Sequence, residues 1–287
     1  MIRSLFSGAS GMKNHQIRMD VIANNVANVN TTGFKGARVN FQDTLYQNLK
    51  APSAGSDASP YVGGINPSQV GLGVMISSIT SDTGQGNAQS TGRMLDVMIQ
   101  GNGWFILSTD GTNVTGNGSA NERYTREGIL YIDNAGNLIN SNGYNICDAK
   151  GEPIRLNMGT YGLDTINIEK NGTITYTRLN DPGPPLTTGP IGLAMFMNQD
   201  GLTRDGQNTF KVSPASGNAI QGAGADRFGE PSKGGYGTTE AGFLEMSNVD
   251  LTDEFIYMIT TQRGYQANAR TVTTSDQILD ELLNIKR

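Results

Sequence analysis

The sequence of 287 residues has one cysteine, one histidine and one tryptophan. With Cys147 alone, an internal disulfide is excluded; the segment Tyr144-Asn145-Ile146-Cys147 reads as a strand, and its thiol as a small buried apolar group. His15 and Cys147 lie far apart, which leaves no zinc ligand set and little for a histidine-dependent nucleophile to draw on. Charged residues are only 16% of the chain and the net charge is −5, with no basic stripe of the kind nucleic-acid binding needs. No run nears the roughly 18 apolar residues of a membrane span. The opening Met1–Gly11 stretch is broken by Ser and Gly, then meets polar Lys13-Asn14-His15-Gln16, so it fails as a cleaved signal peptide. Export, if it occurs, is expected by another route.

Chemistry is scarce as well. Gly71-Leu72-Gly73 and Gly101-Asn102-Gly103 lack the strand-loop-helix setting and the Lys-Ser/Thr sequel of a phosphate loop. The stretch from Asp200 to Gly206 resembles a calcium loop but lacks its twelfth-position glutamate, and a hairpin turn is the better expectation. No spacing among the 26 acidic residues favours a catalytic pair. No catalytic residue, metal or cofactor is therefore expected.

Glycine is plentiful, at 38 residues. From Val70 to about Ile220 the pattern is β, as in Trp104-Phe105-Ile106-Leu107 and Thr165-Ile166-Asn167-Ile168. Its joints repeat one chemistry: Asp110-Gly111, Asn142-Gly143, Asn171-Gly172, Asp200-Gly201 and Asp205-Gly206. Such pairs supply the positive φ of tight hairpins, which argues for antiparallel sheet over βαβ units. Residues 35–50 look extended and then helical. The Pro-, Ser- and Gly-rich stretch that follows reads as a loop or arm, and 221–239 as a Gly-rich connector.

Both ends carry seven-residue apolar repeats. Leu5, Met12, Met19 and Val26 form one stripe, with Ile22 beside it; Leu251, Met258, Tyr265, Val272 and Leu279 form the other, with Phe255 alongside. So narrow a stripe needs a partner helix. Residues 4 to about 29 predict a helix roughly 39 Å long, with Ser4 as N-cap and Gly8 and Gly11 as weak points. Its end predicts a left-handed cap at Gly33, with Phe34 packing back on the last turn. The second helix is expected to start at an Asp250 cap and to end with Lys286 and Arg287 complementing its dipole, Gly264 being its weak point.

The residues Ala23, Asn24, Asn25, Val26, Ala27 and Asn28, with Gly33, Phe34 and Lys35 after them, resemble the signature of the bacterial flagellar axial proteins of rod and hook. Leu244-Glu245-Met246-Ser247-Asn248-Val249-Asp250 and the helix after it are similar to that family's C-terminal signature, and Gly101-Asn102-Gly103-Trp104-Phe105 to its β-rich middle. The resemblance touches nearly the whole chain. It implies an α+β fold whose terminal helices, 1–34 and 248–287, pair as a coiled coil and assemble, with an extended arm at 35–69 and a β-rich outer domain at 70–247. It implies a self-assembling structural subunit and not an enzyme, a helical homopolymer that transmits torque. Its partners would be itself, neighbouring flagellar axial proteins, the hook cap and the type III export apparatus. Asn66–Val74 and the ending Leu282–Arg287 look like hook sequence, so the hook is the expected segment and the distal rod the next. From another class, a secreted β-rich enzyme or adhesin would use the helices only to close its own fold.

Overall fold

A computed structural model describes residues 2–55, 63–157, 162–179, 183–221 and 227–285. The fold is α+β. Two compact units share the chain: one takes 1–27, 37–81 and 250–287, the other 28–36 and 82–249.

The helical unit holds α1 (Ile2–Ala27) and α2 (Leu251–Ile285), which pack along each other. Lys286 and Arg287, expected at the end of α2, lie outside the described residues. Asp250 caps α2, its Oδ1 accepting from the Thr252 amide at 2.7 Å. Those backbone hydrogen bonds hold its carboxyl below the ordinary value. A depressed carboxyl favours the helix above the unfolded value and loses that effect as pH falls through the folded one. Asp250→Ala is expected to speed hydrogen exchange at the Thr252 amide at pH 7, and to change nothing once the pH is low enough to protonate the wild-type carboxyl.

Part of the stretch expected as an arm is strand. Ala37–Asp43 pairs antiparallel with Val74–Ser81, with a bulge at Asn40/Phe41. Beyond it Tyr46–Lys50 pairs with Ser68–Gly71, and Ser53 bridges Ile65. The loop character expected for 51–69 falls partly on residues outside those described. The helix expected near residue 45 is absent because Leu45, Tyr46 and Leu49 belong to this ribbon, where they stay exposed. The partner strand lies some 30 residues onward, and no Asn-Gly joint announces the hairpin.

The β unit is built on an antiparallel sheet. In spatial order its strands are Thr203–Gly206, Thr209–Lys211, Glu122–Thr125, Trp104–Ser108, Asn145–Ile146, Leu138–Asn140 and Leu130–Ile132, with Leu193–Ala194 also pairing Trp104–Ser108. The strand Trp104–Ser108 is buried on both faces. Phe105 and Leu107 enter one apolar cluster; Trp104 and Ile106 enter the other, as the two-residue period of a strand requires. Trp104 packs edge-on against Phe210 at 4.7 Å between centroids. Cys147 sits in the second cluster, where burial pushes its thiol up to about 12. The glycines of the expected hairpins adopt positive φ at Gly111, Gly143, Gly172 and Gly206. Asp200-Gly201 differs: it closes the short 3-10 turn Gln199–Gly201 instead of a hairpin. There a Cβ on Gly201 would meet the Ser216 backbone nitrogen at 2.7 Å.

Candidate assembly surfaces

α1 and α2 meet through small and polar side chains. Gly8 faces Thr271 and Val272, where a Cβ would come within 2.8 Å of Thr271 Oγ1. A Cβ on Gly11 would press on the Asn268 amide at 2.7 Å, and one on Gly264 on the His15 ring at 2.7 Å. Ser4, expected as a cap, lies inside α1, and its hydroxyl meets that of Ser275 at 3.2 Å. The glycines that weaken each helix alone are thus at points of close approach between the pair. His15 rests edge-on against Phe41, 5.6 Å between centroids, and burial with the nearby Arg18 holds its imidazole below the ordinary value.

The apolar stripes share this seam only in part, through Val272, which faces Gly8. Among the described residues of α1, Ile22 is buried, while Leu5, Met12, Met19 and Val26 are half-buried. On α2, Met258, Val272 and Leu279 are half-buried, whereas Leu251, Phe255 and Tyr265 are exposed. Phe255 keeps 50% of its surface in solvent, Ile259 58% and Leu283 68%, and Ile256, Ile278 and Leu282 are exposed too. Exposed apolar side chains thus recur along α2, in its first turns and again near its end.

The signature expected as one helix end is divided between the two units. Ala23 and Ala27 are exposed on the last turns of α1, with Asn24 also at the surface. Asn25 is buried: its Nδ2 donates to Ala37 O and to Glu254 Oε1, each at 2.8 Å, and its Oδ1 accepts from Ala37 N at 3.0 Å. Burial raises the Glu254 carboxyl, a shift the Asn25 amide opposes. Asn28, Gly33, Phe34 and Lys35 belong to the β unit.

Gly33 is not the helix cap that was expected. α1 ends at Ala27, and a turn in which Thr31 N donates to Asn28 O at 3.1 Å intervenes. Gly33 takes φ +67° where a Cβ would strike the Arg126 carbonyl carbon at 2.7 Å, and its amide donates to Glu245 O at 2.8 Å. Phe34 packs beneath the Arg204 guanidinium, 5.1 Å from the ring centre.

Lys35 is among the largest fully buried side chains. Its Nζ donates to Glu245 Oε1 at 2.5 Å and to Gly84 O at 2.8 Å, and Arg126 Nη1 reaches Glu245 Oε2 at 3.4 Å. Burial lowers both Lys35 and Arg126 from their ordinary values, against the pull of Glu245. Sequence reasoning gave no role to Glu245 and missed Arg126. Nothing near Thr125-Arg126-Glu127 marks the arginine as buried; only its distant partner explains it.

Among the described residues, no cluster of His, Cys, Asp or Glu could hold a metal, and no helix is long and apolar enough to cross a membrane. A paired set of terminal helices with uncovered apolar side chains, joined to an antiparallel β unit, is the architecture of a structural subunit. Three family models match: "Flagella basal body rod protein" over residues 5–35, "Flagellar hook protein FlgE/F/G D1 domain" over 98–176, and "Flagellar basal body rod FlgEFG protein C-terminal" over 240–285. The chain is 42% identical to the flagellar basal-body rod protein FlgG of Bacillus subtilis over 287 residues, covering all of both proteins. It is 36% identical to FlgG of Borreliella burgdorferi, again over the whole of both. The flagellar hook protein FlgE of the same Borreliella is 28% identical over an alignment of 457 positions. The chain belongs to the family of flagellar rod and hook proteins, which is structural.

Proposed function

We propose that this chain is a subunit of the distal rod of the bacterial flagellum, joining its neighbours through α1 and α2. The uncovered apolar side chains along α2 carry the proposal. A monomer gains nothing by leaving Phe255, Ile259 and Leu283 in water, whereas burial against helices of other subunits removes that area from solvent at about 25 cal/mol per Å². The heptad residues from Leu5 to Val26 and from Leu251 to Leu279, with Phe255, are proposed as the contacts between subunits. Copies of the chain itself and neighbouring axial proteins are the proposed partners, and export through the flagellar apparatus the proposed route.

The expectation of a hook gives way to the rod on length. The rod relatives align end to end over 287 and 288 positions, while the hook alignments run to 457 and 485 against a chain of 287 residues. Hook relatives therefore carry long segments with no counterpart in this chain. A labelled chain in isolated flagellar bases is expected in the straight rod, near its outer end. Label confined to the curved extracellular segment would place the chain in the hook instead; label absent from both would end the assembly proposal.

A further inference from the structure

We propose that Lys35, Glu245 and Asn248 form a clasp that fixes where the chain enters and leaves the β unit, and so sets the register from which both terminal helices start. The clasp rests on the reading of the chain as a tube subunit and deepens it. The chain passes between its units four times, after Ala27, Gly36, Ser81 and Val249. Three of those points adjoin one cluster inside the β unit.

Asn248 Oδ1 accepts from the Gly36 amide at 2.8 Å. Its Nδ2 donates to Asp82 O at 2.9 Å and to Gly84 O at 3.3 Å. Gly36 O in turn accepts from Asp82 N at 2.7 Å. Lys35 adds its bonds to Gly84 O and Glu245, and Glu245 Oε1 also accepts from Gly86 N at 3.0 Å. One amide and one buried ion pair thus tie segments 33–36, 82–86 and 245–248, which are remote in sequence.

Strength alone is a poor reason for such a cluster. Desolvation cancels much of a buried ion pair's Coulomb gain, and fixing register is the best-attested use of such groups. An Asn amide presents acceptor and donors at set positions, so it accepts one alignment of these three segments and rejects shifted ones. Both helices are near the clasp in sequence: α1 ends at Ala27, about six residues before Gly33, and α2 opens at Leu251, three residues past Asn248. A slip at the clasp would start the two helices out of step, and their glycine contacts would no longer meet.

Asn248→Ala tests this, because it removes the amide from a half-buried position without stranding a charge. The full-length variant, expressed in the source bacterium in place of the wild-type chain, is expected in isolated flagellar tubes at a level at least about tenfold lower. In the purified protein, exchange at the Gly36 amide is expected to rise at least about tenfold, with the amides of Trp104–Ser108 unchanged. Wild-type incorporation despite fast Gly36 exchange overturns the clasp. So does unchanged Gly36 exchange, and so does lost protection across the whole β unit, which would make Asn248 part of its core. If the unsubstituted chain is itself missing from the tube, the rod assignment fails, and Gly36 exchange still decides whether the clasp exists.

Discussion

Phe255→Asp combined with Ile259→Asp is expected to leave the purified chain about as stable as before and to cut its incorporation into the flagellar tube about 100-fold or more. The two positions lie one helical turn apart on α2 and keep 50% and 58% of their surfaces exposed. Surface changes of this kind shift stability by little, about 0.5 kcal/mol each. A central apolar anchor at an interface costs about 2 kcal/mol or more when lost, and each 1.4 kcal/mol is tenfold in association. Thermal unfolding of the free variant and its abundance in isolated flagellar bases supply the two readings. Were these side chains packed inside the chain, the double variant would lose several kcal/mol of stability. A large fall in melting temperature would therefore sink the interface assignment, and so would a normal level in the tube.

Glu245→Ala is expected to destabilise the β unit by about 3–5 kcal/mol, the range for breaking a buried charge pair from one side. The loss strands Lys35 and Arg126, both buried, and frees the amide of Gly86. Its pH dependence has a definite sign. Burial already holds Lys35 below its ordinary value, and Glu245 is the main group raising it, so its removal lowers Lys35 further. Between that depressed folded value and the unfolded value near 10.4, the unfolded chain binds more protons, and stability rises with pH. Urea unfolding at neutral and at alkaline pH is expected to show part of the loss recovered at the higher pH. A variant as stable as the wild type, or one weakened further by base, would contradict the buried-charge account.

Much of this fold was legible in the residues, and the reason is local. The Asp-Gly and Asn-Gly joints declare hairpins because only a few residue types accept positive φ, and the heptads at both ends declare long helices because their period is that of a helix face. Pairings over long separations leave no such mark. Ala37–Asp43 read as part of an arm because its partner strand begins at Val74. Gly33 read as a cap because a glycine after Asn-rich helical sequence usually is one, yet its constraint comes from the backbone at Arg126. Gly8, Gly11 and Gly264 counted as weak points when each helix was taken singly; their purpose shows only once the other helix is beside them. The hook expectation had a similar origin, in short stretches of likeness whose weight was less than that of overall length.

The division of the chain has a mechanical consequence. A unit appended to a helix at one point hangs from a single peptide tether, which any pull loads alone and one proteolytic cut releases. Here the chain passes between its units four times, so four covalent connections share a load in parallel. One nick at any of them leaves three intact. Force applied to the helices of such a subunit has four covalent routes to its sheet, and not one.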